Sequence, residues 1–569
     1  MKKVITGHSE LRTLLTEYSP VFTRAMLLAV VAGLLMITPM IYMMELFGRA
    51  VSSQSLSTLA IMTAAVLLAY VLMETLHWLV SKIMWNVGRE IDEHLQERLF
   101  NAMFSFRLNR EEAGSLSPIN DLRTIREFMA SPIAASFFEI PVAIITLILV
   151  SFINHIVLIF SVIGAVIQLI LLYLAEKQVR PPFQESAIAS VRAQRMMSDA
   201  LKNVEVIEAM GMRPQFYRKW YEKQRLFLLK QAIASERATN FGGLTKTLML
   251  AQGSLLMGLT FWLMLDGFIA SGPLAIFAGM LGAKILQPLV GIVSGWQMVV
   301  GARDSFVNIE KFMAAIPEVS EKMPLPAPEG ALQLEGVAVI APNNNAIVLR
   351  NVSFALPAGA SLAVIGPSGS GKTSLARAIM GVWPLASGKV RVDGAELDHW
   401  EREELGQYMG YLPQDVELFE GSFAENIARF RQVDEDRLKE VVQWTGLETI
   451  IKKLPEGFES NVGVDGNYLS GGQRQRVGLA RAIYGTPKLV ILDEPNASLD
   501  LDGIAMLNSV LEHLKTEAVT TIVISHRPDV LQRVDFILFI KDGVPQLFGP
   551  RDQVLERLQP AGATQQAAV

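Results

Sequence analysis

Six apolar stretches, at about Val21 to Met44, Leu56 to Val80, Ala134 to Phe152, Ile156 to Leu174, Leu244 to Leu265 and Leu274 to Val300, dominate the first half of this 569-residue chain. A helix of about 20 apolar residues spans the ~30 Å hydrocarbon core of a bilayer and satisfies its own backbone groups there. Helices buried in a soluble core are the competing explanation, but those seldom run so long with so few charges. Composition agrees with lipid: 51% of residues are hydrophobic and 19% charged, below the usual quarter, and the mean hydropathy is +0.32. The expectation is a six-helix membrane domain over residues 21–315. The twenty residues before it are polar and mixed in charge, with no short apolar segment ending in a small-residue cleavage site, so the first span is expected to stay.

The loops set the orientation. Lys2, Lys3 and Arg12 precede the first span and Arg24 lies at its start. Lys82, Arg89, Arg98, Arg107, Arg110, Arg123 and Arg126 follow the second, whereas the short loops after the first, third and fifth carry only Arg49 as a basic residue. The positive-inside rule then puts both termini, including a short N-terminus of residues 1–20, in the cytoplasm. The long stretches Ser81 to Met129 and Ala175 to Asn240 mix charge with helically spaced apolar residues, and read as helices extended out of the bilayer. Met323 to Pro328, with three prolines, marks a stiff linker within 316–331. From Leu332 the pattern turns to strands and then alternates strands and helices, an α/β domain over 332–559 with a helical part around Asp434 to Tyr484. Residues 560–569 lack apolar periodicity and read as a disordered tail.

A net charge of −5 supplies no basic field, so no nucleic acid partner is expected. There is no cysteine, hence neither a disulfide framework nor a thiolate metal site, and the seven histidines have no ligand spacing.

Chemistry enters at Gly366, Pro367, Ser368, Gly369, Ser370, Gly371, Lys372, Thr373 and Ser374, between the apolar run Leu362 to Ile365 and a helix-like one. Glycines at 366, 369 and 371 free the backbone amides to turn toward phosphate oxygens, Lys372 reaches the β- and γ-phosphates, and the Thr373 hydroxyl suits Mg²⁺. A chance glycine-rich turn fits poorly with that strand, loop and helix context. Alone, the loop implies only a nucleoside triphosphatase.

About a hundred residues further on stands Leu469, Ser470, Gly471, Gly472, Gln473, and an apolar run from Leu489 ends in Asp493, Glu494 and Pro495. Here, and through Gln414, Ser498, Leu499, Asp500 and His526, the chain resembles ATP-binding cassette (ABC) proteins. The resemblance implies a helical transmembrane domain followed by an α/β P-loop ATPase domain, with ATP and Mg²⁺ as cofactors. It assigns the metal site to Asp493, Thr373 and Gln414, the general base to Glu494 and γ-phosphate contact to Gln414 and His526. The residue types suit the chemistry, since two carboxylates at a buried strand end can divide metal and water between them. Either carboxylate pair or lone histidine, taken singly, is an ordinary strand end or loop residue.

The wording Met409 to Phe419, with Glu420-Gly421 and Glu425-Asn426-Ile427, is similar to type I secretion ATPases of the protease, lipase and hemophore exporting (PrtD-type) branch, as are Asn203 to Met212, Pro39 to Met43 and Lys284 to Leu289. That branch implies a multi-pass protein of the bacterial inner membrane that moves unfolded protein out of the cytoplasm. A periplasmic membrane-fusion adaptor and an outer-membrane channel would be its partners. With only about twenty residues before the first span and no cysteine nucleophile, no processing peptidase is expected.

There are two departures from the family. Where relatives place an aromatic residue to stack on adenine, this chain has Val337 to Ile340 and then Pro342 to Asn345, which leaves the stack unaccounted for. Where exporters carry Glu before the signature, it has Val464, with Asp465 one position later.

In ABC proteins each ATP lies between the phosphate loop of one domain and the signature of another, so one ATPase domain per chain implies a homodimer. Two rival functions remain at this stage: a lipid or drug exporter of the same architecture, and a non-pumping channel or regulator, against which intact Lys372, Asp493, Glu494 and His526 argue. Lys284 lies inside the sixth apolar stretch, four residues before Pro288. A lysine near mid-bilayer costs about 2.5 to 3.5 kcal/mol on insertion scales, so it is expected either to face the transport path or a partner, or to snorkel from a helix end.

Overall fold

The computed structural model describes residues 10–109, 118–316, 322–341 and 346–558. Lys2, Lys3, Arg110, Pro342 to Asn345, linker residues 317–321 and the tail from Pro560 lie outside the described residues, as does the Arg107 side chain. The chain divides into two compact units, one holding 1–105 and 113–317 and the other 106–112 and 318–569.

The first unit is helical throughout its described residues. Five helical stretches are long and apolar enough to cross a membrane: Ser19–Ser53, Leu56–Phe106, His155–Lys202, Arg213–Leu265 and Gly272–Ser294. The bent pair Pro132–Phe138 and Ile140–Ile153 makes a sixth. Three of these spans are less regular than a continuous apolar run suggests. The first breaks between Ser19–Leu35 and Thr38–Glu45, the third bends by 44° at Glu139, and the sixth breaks between Gly272–Lys284 and Gln287–Ser294. Pro39, Pro141 and Pro288 each stand at the second position of the helix after a break. Proline lacks the N–H for the preceding turn, and its ring clashes with the carbonyl four residues back.

Outward faces carry Leu27, Leu67, Leu68, Ile148 and Leu169, exposed here and matched to lipid tails. Inward faces pack through small residues: a Cβ on Gly33 would meet Val142 at 2.5 Å, and one on Gly282 the Ser161 hydroxyl at 2.9 Å. Two buried amides tie the fourth span to the fifth, Gln168 Nε2 donating to the Thr245 carbonyl at 3.1 Å and Gln252 Nε2 to that of Ser161 at 3.4 Å.

Beyond the apolar segments the helices continue, Leu56–Asn109 over 54 residues, about 80 Å. The extensions pack through charge where lipid would forbid it. Arg126 pairs with Asp92, Arg180 with Asp304 at 3.1 Å and Arg303 with Glu176 at 2.6 Å. The short helix Val204–Ala209 lies between the long ones, and Gly211, at φ 64°, turns the chain back.

The second unit holds two sheets. The smaller runs β2-β1-β4-β5 and is antiparallel: β1 Leu332–Ile340, β2 Ile347–Leu356, β4 Leu385–Val392 and β5 Ala395–Glu396. The larger runs β10-β9-β3-β8-β7-β6, parallel except for the edge strand β10: β3 Ser361–Ile365, β6 Met409–Leu412, β7 Leu489–Asp493, β8 Thr520–Ile524, β9 Phe536–Lys541 and β10 Val544–Pro550. Its strands read as unbroken apolar runs because both faces are covered. On β7, Val490 and Leu492 join one core, with Phe423, Ile427, Leu438, Val477 and Ile483 of the helical part. Leu489 and Ile491 join another, with Leu375, Ile379 and the smaller sheet. The period of two along a strand sorts them.

Candidate active site

The phosphate loop joins β3 to helix Lys372–Ile379, whose N-cap Gly371 makes no side-chain cap. The first-turn amides therefore stay free for an anion. Gly371 sits at φ 97°, and a Cβ there would meet Leu349 at 2.7 Å; at Gly366 a Cβ would meet the Ile540 carbonyl at 2.0 Å. Both positions admit glycine alone. Lys372 is buried, and its Nζ donates to the carbonyls of Gly366 and Pro367, both at 2.9 Å, which holds the ammonium over the mouth of the loop. The Ser370 hydroxyl is buried without a partner, Ser374 is buried, and Pro367, Ser368 and Gly369 are exposed on the loop crest.

Asp493, the last residue of β7, is fully buried, and neither of its carboxylate oxygens has a hydrogen-bond partner. Burial pushes its pKa up, and the charge of Glu494 pushes the same way, while Thr373, Arg377 and Lys372 pull it down. Thr373 thus acts on the carboxylate from close by without making a full hydrogen bond. An unpaired buried carboxylate is costly, and a divalent cation held here would repay it. Mg²⁺ takes one or two carboxylates plus phosphate oxygens and waters in preference to an all-protein cage, so the Asp493 carboxylate with Thr373 beside it fits the ion, while Gln414, the third expected ligand, is turned to Glu494.

Glu494 follows in a left-handed conformation, φ 48°, uncommon for a residue with a side chain. Its N–H donates to the Ile524 carbonyl at 3.0 Å, which anchors the turn to β8. Gln414, two residues past β6, donates from Nε2 to Glu494 Oε2 at 3.2 Å. His526 is exposed on the loop after β8, behind Ser525, whose hydroxyl bonds Asn496 Oδ1 at 3.1 Å. The ends of β3, β6, β7 and β8 thus gather the phosphate loop, Gln414, Asp493, Glu494 and His526 at the carboxyl edge of the parallel sheet.

The signature forms a second cluster. Ser470 caps helix Gly471–Ile483 in a reciprocal box, its hydroxyl accepting from the Gln473 N–H at 3.3 Å and its own N–H donating to Gln473 Oε1 at 2.9 Å. Gly472 lies against Ser498, where a Cβ would meet the carbonyl at 2.9 Å. Asp500 caps helix Leu501–Thr516, and Arg476 of the signature helix reaches it at 3.2 Å, which ties the signature helix to the segment Ser498 to Asp500. Among the described residues no hydrogen bond links this cluster to the phosphate loop of the same chain.

Three contributors escaped the sequence reading. Arg377 stands one turn after Thr373, on the same helix face, and acts on both Asp493 and Tyr411; that spacing was the available signal. Asn496 ties the turn after Glu494 to Ser525 on the loop after β8. Arg429 donates to five carbonyls, those of Gly406, Met409, Arg481, Ala482 and Tyr484, and burial lowers its pKa to about 10. No motif announces it. Of the two departures, Val337 and Val339 are buried inside β1 and Pro342 to Asn345 fall outside the described residues, while Val464 and Asp465 are exposed on a short turn with Asp465 at φ 54°.

The chain matches the ABC transporter family over residues 349–497 and the ABC transporter transmembrane region over 22–283. It is 32% identical to the type I secretion system ATP-binding protein PrsD of Rhizobium meliloti, over 94% of this chain and 93% of that protein. The cyclolysin secretion/processing ATP-binding protein CyaB of Bordetella pertussis is 24% identical over 91% of this chain and 74% of its own length. An ATP-dependent lipid A-core flippase of Saccharophagus degradans is 27% identical over 68% of this chain and 65% of its own. In fold, the chain matches the ATP-bound structure of a bacterial Atm1-family ABC exporter with a TM-score of 0.81, over 95% of this chain and 96% of that one, at 19% identity. The six spans, the phosphate loop and the paired carboxylates at the end of β7 therefore sit in a known frame: the chain belongs to the ABC transporter family, among its type I secretion ATP-binding proteins.

Proposed function

We propose that this protein is the inner-membrane ATPase of a type I secretion system, hydrolysing ATP to drive unfolded polypeptide out of the cytoplasm. The observation that carries the reading is the likeness to PrsD through both the membrane spans and the ATPase unit, where lipid A-core flippases match over a smaller share of the chain. A periplasmic adaptor, an outer-membrane channel and the secreted protein are the partners that go with it, with the ATPase unit and both termini on the cytoplasmic side.

ATP phosphates would rest on the loop amides of 366 to 374 and on Lys372, which need only exchange the Gly366 and Pro367 carbonyls for phosphate oxygens. Mg²⁺, held by Asp493, Thr373 and Gln414, would neutralise charge on the β- and γ-phosphates. Glu494, oriented by Gln414 and by its anchored turn, takes the proton of the attacking water. His526 contacts the γ-phosphate from the end of β8. Each chain carries one phosphate loop and one signature on separate clusters, so Ser470 and Gly472 of a partner chain complete the site in a homodimer. Donors there face the transferring phosphate only when the two chains close on ATP, which couples chemistry to movement of the membrane helices.

The test is a pull-down and a transport assay. Tagged protein from native-like membranes should retain an adaptor in the presence of cargo, and vesicles carrying the purified protein should accumulate unfolded polypeptide in an ATP-dependent way. Lipid flipping with no polypeptide uptake and no adaptor retained would sink the reading.

A further inference from the structure

The three broken spans meet at one place. A cavity of about 30 Å³ in the membrane domain, with room for little more than one water, is lined by Gly33, Ile37 and Met40 of the first span, Glu139 of the third, and Lys284 and Gln287 of the sixth. Each of these spans is interrupted at that level, and a proline follows each interruption. Pro39, Pro141 and Pro288 withdraw the donors that a continuous helix would offer to the carbonyls of Leu35, Phe137 and Lys284, and that of Phe137 accepts from the Glu139 N–H instead. Backbone freed in this way is tolerated at membrane depth only where it is enclosed by protein or lines a wet path.

The junction also holds charges of both signs. Glu139 stands at the bend of the third span and Lys284 at the end of the helix in the sixth. Both line the cavity. Lys284 Nζ donates to Gln287 Oε1, and no direct ion pair joins Lys284 to Glu139 among the described residues. Either charge alone is expensive at mid-membrane and is tolerated where it faces protein or water. Together, at a common break, they offset one another and leave both able to turn to something else.

We propose that this junction is where the exported polypeptide is engaged inside the membrane, with Glu139 and Lys284, charges of opposite sign on its lining, turning to the passing chain during export. The proposal rests on the secretion reading above and gives that path a location. An extended polypeptide brings a ladder of N–H groups that must be satisfied away from water, and the carbonyl that Pro288 leaves without its helical donor, that of Lys284 on the cavity lining, offers a sequence-independent acceptor. The two charges accommodate acidic or basic side chains as these pass. A lipid brings no such ladder, which favours polypeptide as the occupant.

The chain has no native cysteine, so Glu139→Cys and Lys284→Cys each give a single thiol. In vesicles, labelling by a membrane-impermeant maleimide should be slow without nucleotide and with ATP alone, and at least about tenfold faster at both positions when ATP and an unfolded polypeptide are present. Export by the wild-type protein, measured beside it, reports on the secretion reading by itself. If the wild type exports while labelling at both positions ignores cargo, the junction is overturned and the secretion reading stands. Charge exchange provides a second arm among variants whose melting shows them folded. Lys284→Glu and Glu139→Lys should each impair export, and the double exchange should recover it. A double variant no better than either single one would also overturn the proposal.

Discussion

Gln414 donates its side-chain amide to the Glu494 carboxylate at 3.2 Å, bridging the segment after β6 to the residue after β7. The bond fixes a carboxylate that already stands on a left-handed, backbone-anchored turn. Positioning is thus built in before nucleotide arrives, as the general-base role proposed for Glu494 requires.

Replacing Glu494 by Gln keeps its size and removes its basicity. ATP binding should persist, while steady-state turnover should fall by roughly 10² to 10⁴-fold, the scale of a lost general base. Near-normal phosphate release by the purified variant would show that another group takes the proton.

Asp493 links pH to stability. Its pKa is raised from the ordinary 3.8, first by burial and then by Glu494. A carboxyl with a raised native pKa destabilises the fold when ionised; the cost is absent below the ordinary value and complete above the raised one. Asp493→Asn should therefore raise the melting temperature of the nucleotide-free protein at pH 7, by about 2–4 °C if ~1 kcal/mol is recovered. The gap should narrow as the pH is lowered toward 3.8, and MgATP should stabilise the variant less than the wild type. A lower melting temperature for Asp493→Asn at pH 7 would contradict the idea of an uncompensated carboxylate.

Nucleotide preference follows from the absence of an aromatic residue between Val337 and Asn345. If affinity rests on phosphate contacts, GTP should compete with ATP within about a hundredfold, or ~2.8 kcal/mol. Competition binding measures it directly. A larger preference for ATP would demand a specific contact to the base.

Arg429 organises the joint between β6 and the signature helix through the carbonyls of Met409, Arg481 and Ala482 among its five acceptors. Arg429→Leu leaves those carbonyls short of donors, and each charge-assisted bond is worth about 1.5–3 kcal/mol. The isolated variant should show marked loss of thermal stability, with Arg429→Lys intermediate, since an ammonium cannot reproduce the planar fork. Equal melting of Arg429→Leu and wild type would mean that water replaces the guanidinium at no cost.

What the sequence determined by itself is what depends on local spacing. Six runs of membrane length, strands starting at Leu332, and the glycines of 366 to 371 are one-dimensional patterns whose physical meaning does not wait for a partner. The pairing of Asp493 with Glu494 at the end of an apolar strand was legible for the same reason. Only the tertiary structure decided how Gln414 reaches Glu494 across 80 positions, why Arg377 matters to Asp493, and that Arg429 is a clamp. These depend on which strands lie side by side in the order β3-β8-β7-β6, and that order is set by packing across the sheet. The breaks in the spans fall between the two. Pro39, Pro141 and Pro288 are plain in the sequence, yet a hydropathy average passes over them, because proline removes a hydrogen bond without removing apolar surface. That the three interruptions share one level, with Glu139 opposite Lys284, is a property of helices packed together and of no single stretch of chain.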